Sequence, residues 1–198
     1  MQKLIIAGAC ALALSACSSM GMHAGAAHPP IHATGAMPDT KMVGGAPMYP
    51  SKDIVDNAVN SRDHTTLVAA VKAAGLVDTL KGPGPFTVFA PTNAAFSQLP
   101  AGTVDTLLKP ENRPMLAKVL TYHVVPGRID AHALAEQIRA GGGKAMLKTA
   151  SGGTLTAMMH GKDVVIEDGK GNDAVVTVSD VYQSNGVIHV VDKVLLPG

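Results

Sequence analysis

Tryptophan is absent from this chain of 198 residues, and aromatic residues make up only 3% of it. A core must therefore be assembled mainly from Val, Leu, Ile, Ala and Met, for which the 46% hydrophobic content suffices. Charge is equally sparse at 16%, with a formal net charge of +1. If Lys3 leaves with a cleaved segment, the remaining basic residues equal the 15 acidic ones. No basic stripe interleaved with aromatics occurs, which argues against nucleic-acid binding. Electrostatic attraction to an anionic membrane surface is likewise unsupported. There are two cysteines, Cys10 and Cys17, so the main body of the chain has no disulfide to rely on. The longest N-terminal apolar run, Leu4 to Ala13, is too short to cross a bilayer comfortably. No Gly-x-Ser-x-Gly elbow, phosphate loop or dinucleotide fingerprint is present, and the carboxylates are scattered without an acid-base pair. An enzymatic role is not expected, and no cofactor is required by these motifs.

What is present begins with an ordered leader. Met1-Gln2-Lys3 is a short basic start, and the apolar run after it has the layout of a secretory signal. Leu14-Ser15-Ala16-Cys17 resembles the bacterial lipobox. That resemblance implies a signal peptide over residues 1–16, cleavage before Cys17 and thioether lipidation of its sulfur. Two or more acyl chains hold a protein at a membrane stably, whereas one holds it marginally. Ser18 after the cysteine suggests the outer membrane, facing the periplasm or the cell surface. A plain secretory peptide containing a cysteine is the simpler alternative.

Residues 17–50 then change texture. Gly, Ala, Pro, Met and His dominate and no apolar periodicity survives, which predicts a flexible tether. Met20, Met22, His23, His28, His32 and Met37 fall here, with Met42 and Met48 further along. Thioether and imidazole groups suit copper, the former favouring the cuprous ion, so a periplasmic metal-handling or envelope-stress role is one reading. Compositional drift in an unconstrained linker is the other.

Residues 51–198 read as one domain. Asp53 is placed to cap a short helix, Asp63 or Thr65 a second one, and Gly75 stands where a left-handed stop belongs. Phe86 to Ala90 predicts a strand, Thr92 a cap for the helix Asn93 to Leu99, and Asp130 a cap for a further helix. Tyr122 to Val125 predicts a short strand. After Gly141 the chain turns to short apolar runs separated by Gly-, Asn- and Lys-rich turns. Helices first and strands later, without alternation, predict an α+β fold with largely antiparallel pairing.

Three blocks resemble the fasciclin-like domain family: Gly84 to Phe96 (GPFTVFAPTNAAF), Leu120 to Gly127 (LTYHVVPG) and Ser184 to Pro197 (SNGVIHVVDKVLLP). The resemblance runs from about Asp53 to Pro197. It implies a wedge-shaped β-sandwich with helices flanking it in the N-terminal half. It also implies a non-enzymatic adhesion or envelope-binding role, toward a protein or glycan surface ligand. Asn93, Tyr122, His123 and His189 are the candidate binding residues within these blocks. Asn93 can instead bond locally to backbone at its helix start. For Tyr122 and His123, receptor contact is what the resemblance implies, and a buried polar pin that fixes a helix to the sheet is the physical alternative. Alternation along the last block puts Ile188, Val190 and Val194 in the core and leaves His189 exposed or internally satisfied.

Overall fold

Three helices start, where the sequence places them, on a side chain that offers an acceptor to a backbone N–H of the first turn, while the cap expected of Asp63 or Thr65 is not made. The helices are α1 (Ile54–Ala58), α2 (Thr65–Ala74), α3 (Val77–Leu80), α4 (Asn93–Ser97), α5 (Thr103–Leu108), α6 (Arg113–Tyr122) and α7 (Ala131–Ala140). Asp53 accepts from the Asp56 N–H, Thr92 from Ala95 and Asp130 from Ala133, each satisfying an orphan donor of the first turn. Gly75 closes α2 at φ 72°, a left-handed conformation that costs glycine little. The structure, a computed structural model, describes residues 40–198.

The strands are β1 (Lys41–Val43), β2 (Ala46–Met48), β3 (Phe86–Pro91), β4 (Val124–Pro126), β5 (Lys144–Lys148), β6 (Thr154–His160), β7 (Asp163–Glu167), β8 (Asp173–Gln183) and β9 (Gly186–Val191). Seven of them form one sheet in the order β4-β3-β9-β8-β7-β6-β5, and β1-β2 form a separate hairpin. Every ladder is antiparallel except β3–β9, which runs parallel from Phe86↔Gly186 to Pro91↔Val191. Beyond β5, the Ala150 N–H donates to the Val124 carbonyl at 2.7 Å, so the two ends of the sheet meet and the sheet nearly closes. The α+β fold with antiparallel preference is thus the observed one.

Because β3 and β9 lie mid-sheet with both faces covered, they divide the interior into two cores. On the helix side, Ile54, Leu67, Val71, Leu120, Val88 and Ile188 pack together. On the other side, Phe89, Tyr122, Leu134, Leu155, Ile166 and Val191 fill the space between the curled sheet and α7. Each fully buried side chain of this kind contributes roughly 1.5–3 kcal/mol, and no disulfide adds to them among the described residues.

Ile188, Val190 and Val194 pack in the first core as expected, and the opposite side of the last block is buried as well, with Val191 in the second core. Two sequence expectations are corrected here. Tyr122 is the final residue of α6 rather than the first of a strand, since the helical hydrogen bonding runs on through it. The stretch expected to remain tether up to Pro50 already carries the β1-β2 hairpin. Val43 and Met48 are buried against the domain, and Lys41 Nζ donates to the Ser179 carbonyl at 2.7 Å. Burial of these two side chains outweighs the loop-like composition around them.

Candidate functional site

The Tyr-His block sits where α6 hands the chain to β4. Tyr122 is 1% exposed; its hydroxyl donates to the Thr154 carbonyl at 2.7 Å and accepts from the Gly169 N–H at 2.8 Å. Burial raises its pKa above the usual value. A Cβ at Gly153 would lie 2.5 Å from the ring, so only glycine lets the start of β6 pass so close.

His123, 2% exposed, caps α6. The Leu195 N–H donates to Nε2 at 2.9 Å, which makes Nε2 the acceptor and places the proton on Nδ1. Nδ1 then donates to the Val119 carbonyl at 2.8 Å. Burial, partly opposed by Val119 and Asp168, pushes its pKa down to about 4. His189 follows the same logic on β9. Its Nδ1 accepts from the Asp180 N–H at 3.4 Å and its Nε2 donates to the Ile129 carbonyl at 2.9 Å. Its ring stacks on Phe89 with centroids 5.7 Å apart, and burial lowers its pKa. As placed, Tyr122, His123 and His189 are turned inward and hold elements together. Asp168, within the turn after β7, completes this network by accepting from the Leu196 N–H at 2.9 Å. Burial alone would raise its pKa, but hydrogen bonds from Asn172, Leu196 and Lys170 together hold it below the usual carboxylate value.

Asn93 is half-buried and bonds across the fold rather than locally. Its Oδ1 accepts from the Thr66 N–H at 3.0 Å, and its Nδ2 donates to the Arg62 carbonyl at 2.8 Å. One amide therefore ties the first turn of α4 to the entry of α2. Asn185 performs a comparable task, unanticipated from sequence, by accepting from the Ile54 N–H and donating to the Leu80 and Gly82 carbonyls.

A second feature lies in the helix-side core, where a cavity of about 100 Å³ opens between α1, α2, α3 and strands β3 and β9. His64, just ahead of α2, lines it at 3% exposure. Nδ1 shares a 2.8 Å hydrogen bond with Ser61 Oγ. Nε2 is the one buried side-chain nitrogen or oxygen without a hydrogen-bond partner among the described residues. Burial lowers the ring's pKa, while the neighbouring Ala90 carbonyl and Asp63 pull the other way. A void of this volume costs about 2 kcal/mol, and an orphaned polar atom roughly 1–3 kcal/mol. Nothing in the sequence around His64 pointed to it, because being without a partner is a property of three-dimensional packing.

Cys17 and the copper candidates Met20, Met22, His23, His28, His32 and Met37 lie outside the described residues. Of the two later methionines, Met48 is core while Met42 is exposed. Among the described residues no group of three or more His, Cys, Asp or Glu is assembled, and no helix is long and apolar enough to cross a membrane.

Residues 62–197 match the fasciclin domain. Protein sll1483 of Synechocystis is 51% identical over 144 residues, covering 73% of this chain and 73% of that protein. The cell surface glycolipoprotein MPB83 of Mycobacterium bovis is 35% identical over 145 residues, covering 71% of this chain and 58% of MPB83. A solved FAS1 domain pair from the insect cell adhesion molecule fasciclin I matches with a TM-score of 0.53 at 22% identity. The match covers 71% of this chain and 45% of that pair, and the likeness is one of fold.

Proposed function

Because this chain belongs to the fasciclin-domain family, we propose that it is a non-catalytic binding and adhesion module, held outside the cytoplasm by lipid at Cys17. The observation that carries this reading is the family match across residues 62–197, nearly the whole folded part. The lipobox-like Leu14 to Cys17 supports the anchor, and one relative, MPB83, is by name a cell surface glycolipoprotein. Residues from Ser18 to about Thr40 then form the tether, shorter than composition suggested. Its partner is a protein or glycan surface. Tyr122, His123 and His189 serve this function indirectly, by fixing the elements that display solvent-facing side chains. Weak individual contacts suffice, because many anchored copies engaging one surface gain avidity without any new interaction.

Protease shaving of intact cells tests the reading. Wild-type cells are expected to lose the domain while a periplasmic marker survives, and Cys17→Ala is expected to move the domain out of the membrane fraction. Cleavage only after the outer membrane is permeabilised would rule out external adhesion.

A further inference from the structure

We propose that the helix-side cavity binds a small apolar molecule, a single ring carrying one hydroxyl, anchored by a hydrogen bond to His64 Nε2. Two independent observations meet at this place. One is the void itself, about 100 Å³ and walled by Leu67, Val71, Val88 and Ile188. The other is a buried nitrogen on its wall with no hydrogen-bond partner. The remaining polar groups around it are already engaged or sit at the rim. Both nitrogens of His123 are bonded, and the Thr121 hydroxyl donates to the Ala117 carbonyl at 2.7 Å. Lys72 on α2 and Thr79 on α3 also border the cavity and are exposed.

A buried water needs two to four polar partners; Nε2 and the neighbouring Ala90 carbonyl give it the minimum, and one water leaves most of a void of about 100 Å³ unfilled. A purely apolar guest fills the space but leaves Nε2 orphaned. The size is of the order of cavities, about 150 Å³, that stay dry and admit benzene. The hydroxyl follows from the ring's tautomers. If Ser61 donates to Nδ1, Nε2 carries the proton and needs an acceptor; if Ser61 accepts, Nε2 needs a donor. A hydroxyl satisfies either case, whereas a carbonyl or an amine satisfies only one. This proposal stands apart from the adhesion reading and does not depend on it.

The test titrates phenol and benzene into the full chain, reading saturable methyl-group shifts by NMR and the rise in Tm. Phenol is expected to bind roughly tenfold tighter than benzene, one hydrogen bond's difference. Shifts should centre on Leu67, Val88 and Ile188. In His64→Leu that preference should collapse, and in Val71→Phe, which fills the void, both ligands should lose binding. Equal affinities in the wild type, or no saturable binding of either, would overturn the proposal. Should His64→Leu fail to fold, the wild-type comparison and Val71→Phe still decide it.

Discussion

The two cores share β3 and β9 as a common wall, yet a single buried nitrogen sets them apart. Around the side filled by Phe89, Leu155 and Ile166, Tyr122 has found its partners in Thr154 and Gly169, His189 in Ile129 and Asp180, and His123, which also reaches the wall of the helix-side cavity, in Val119 and Leu195. Each histidine there is held in one tautomer by the donor it faces. On the helix side, His64 keeps one nitrogen open beside a void. A fully bonded interior fixes one arrangement of its elements, while a partly bonded one keeps capacity for something else. The difference teaches that burial alone does not say what a histidine is for; the count of its satisfied nitrogens does.

The largest expected effect that sharpens this contrast is acid destabilisation. Well above pH 6.5, His64, His123 and His189 are neutral in folded and unfolded chains alike and contribute nothing to the pH slope. As pH falls below that value the unfolded chain takes up protons that the buried rings refuse, so stability drops towards pH 4. His123, with its pKa near 4, accounts for about 3 kcal/mol of that loss, and His64 and His189 act in the same direction. Urea unfolding at pH 7 and pH 4.5 measures it, and His123→Leu should remove the largest share of the slope.

Next in size is the cost of the histidines themselves at pH 7. His123→Leu leaves the Leu195 N–H buried without an acceptor and is expected to cost about 2–3 kcal/mol. His64→Leu removes the orphan at Nε2 but leaves the buried Ser61 hydroxyl without the ring, and as these offset, its net change should stay within about 1 kcal/mol. Equal costs in chemical denaturation would break the comparison.

The smallest effect probes volume. Ala157→Leu, in the tightly filled core, should cost about 1–3 kcal/mol through overpacking. Val71→Leu grows into existing space and should be neutral or gain up to about 0.8 kcal/mol. Thermal melts of the two variants read the sign directly.

Local signals were the legible part of this molecule. Asp53, Thr92, Asp130 and Gly75 act within a few residues of themselves, so short windows expose them. The His123 pin was legible in kind but not in partner, because Leu195 lies 72 residues further along. Asn93 likewise could be seen as an Asx side chain at a helix start, while its true partners, Arg62 and Thr66, belong to another helix entry. The double burial of β9 escaped the alternation argument, which assumes one wet face; parallel pairing with β3 and a second core behind it remove that face. The hairpin at 41–48 was hidden by composition, since Gly44-Gly45 and Pro47 look like linker until Val43 and Met48 are seen packed.

That hairpin also sets the mechanics of the domain. Chain N-terminal to Thr40 delivers any pull at Lys41, whose ladder partner is Met48, at the open end opposite the Gly44-Gly45 turn. A load applied there acts across the rungs and breaks them singly, first Lys41↔Met48, then Met42↔Pro47, then Val43↔Ala46. The Lys41 side chain, bonded to the Ser179 carbonyl of β8, and the buried Val43 pass part of that load directly to the seven-stranded sheet. The hairpin is thus a clasp that shares a pull on the chain between its own rungs and the body of the domain.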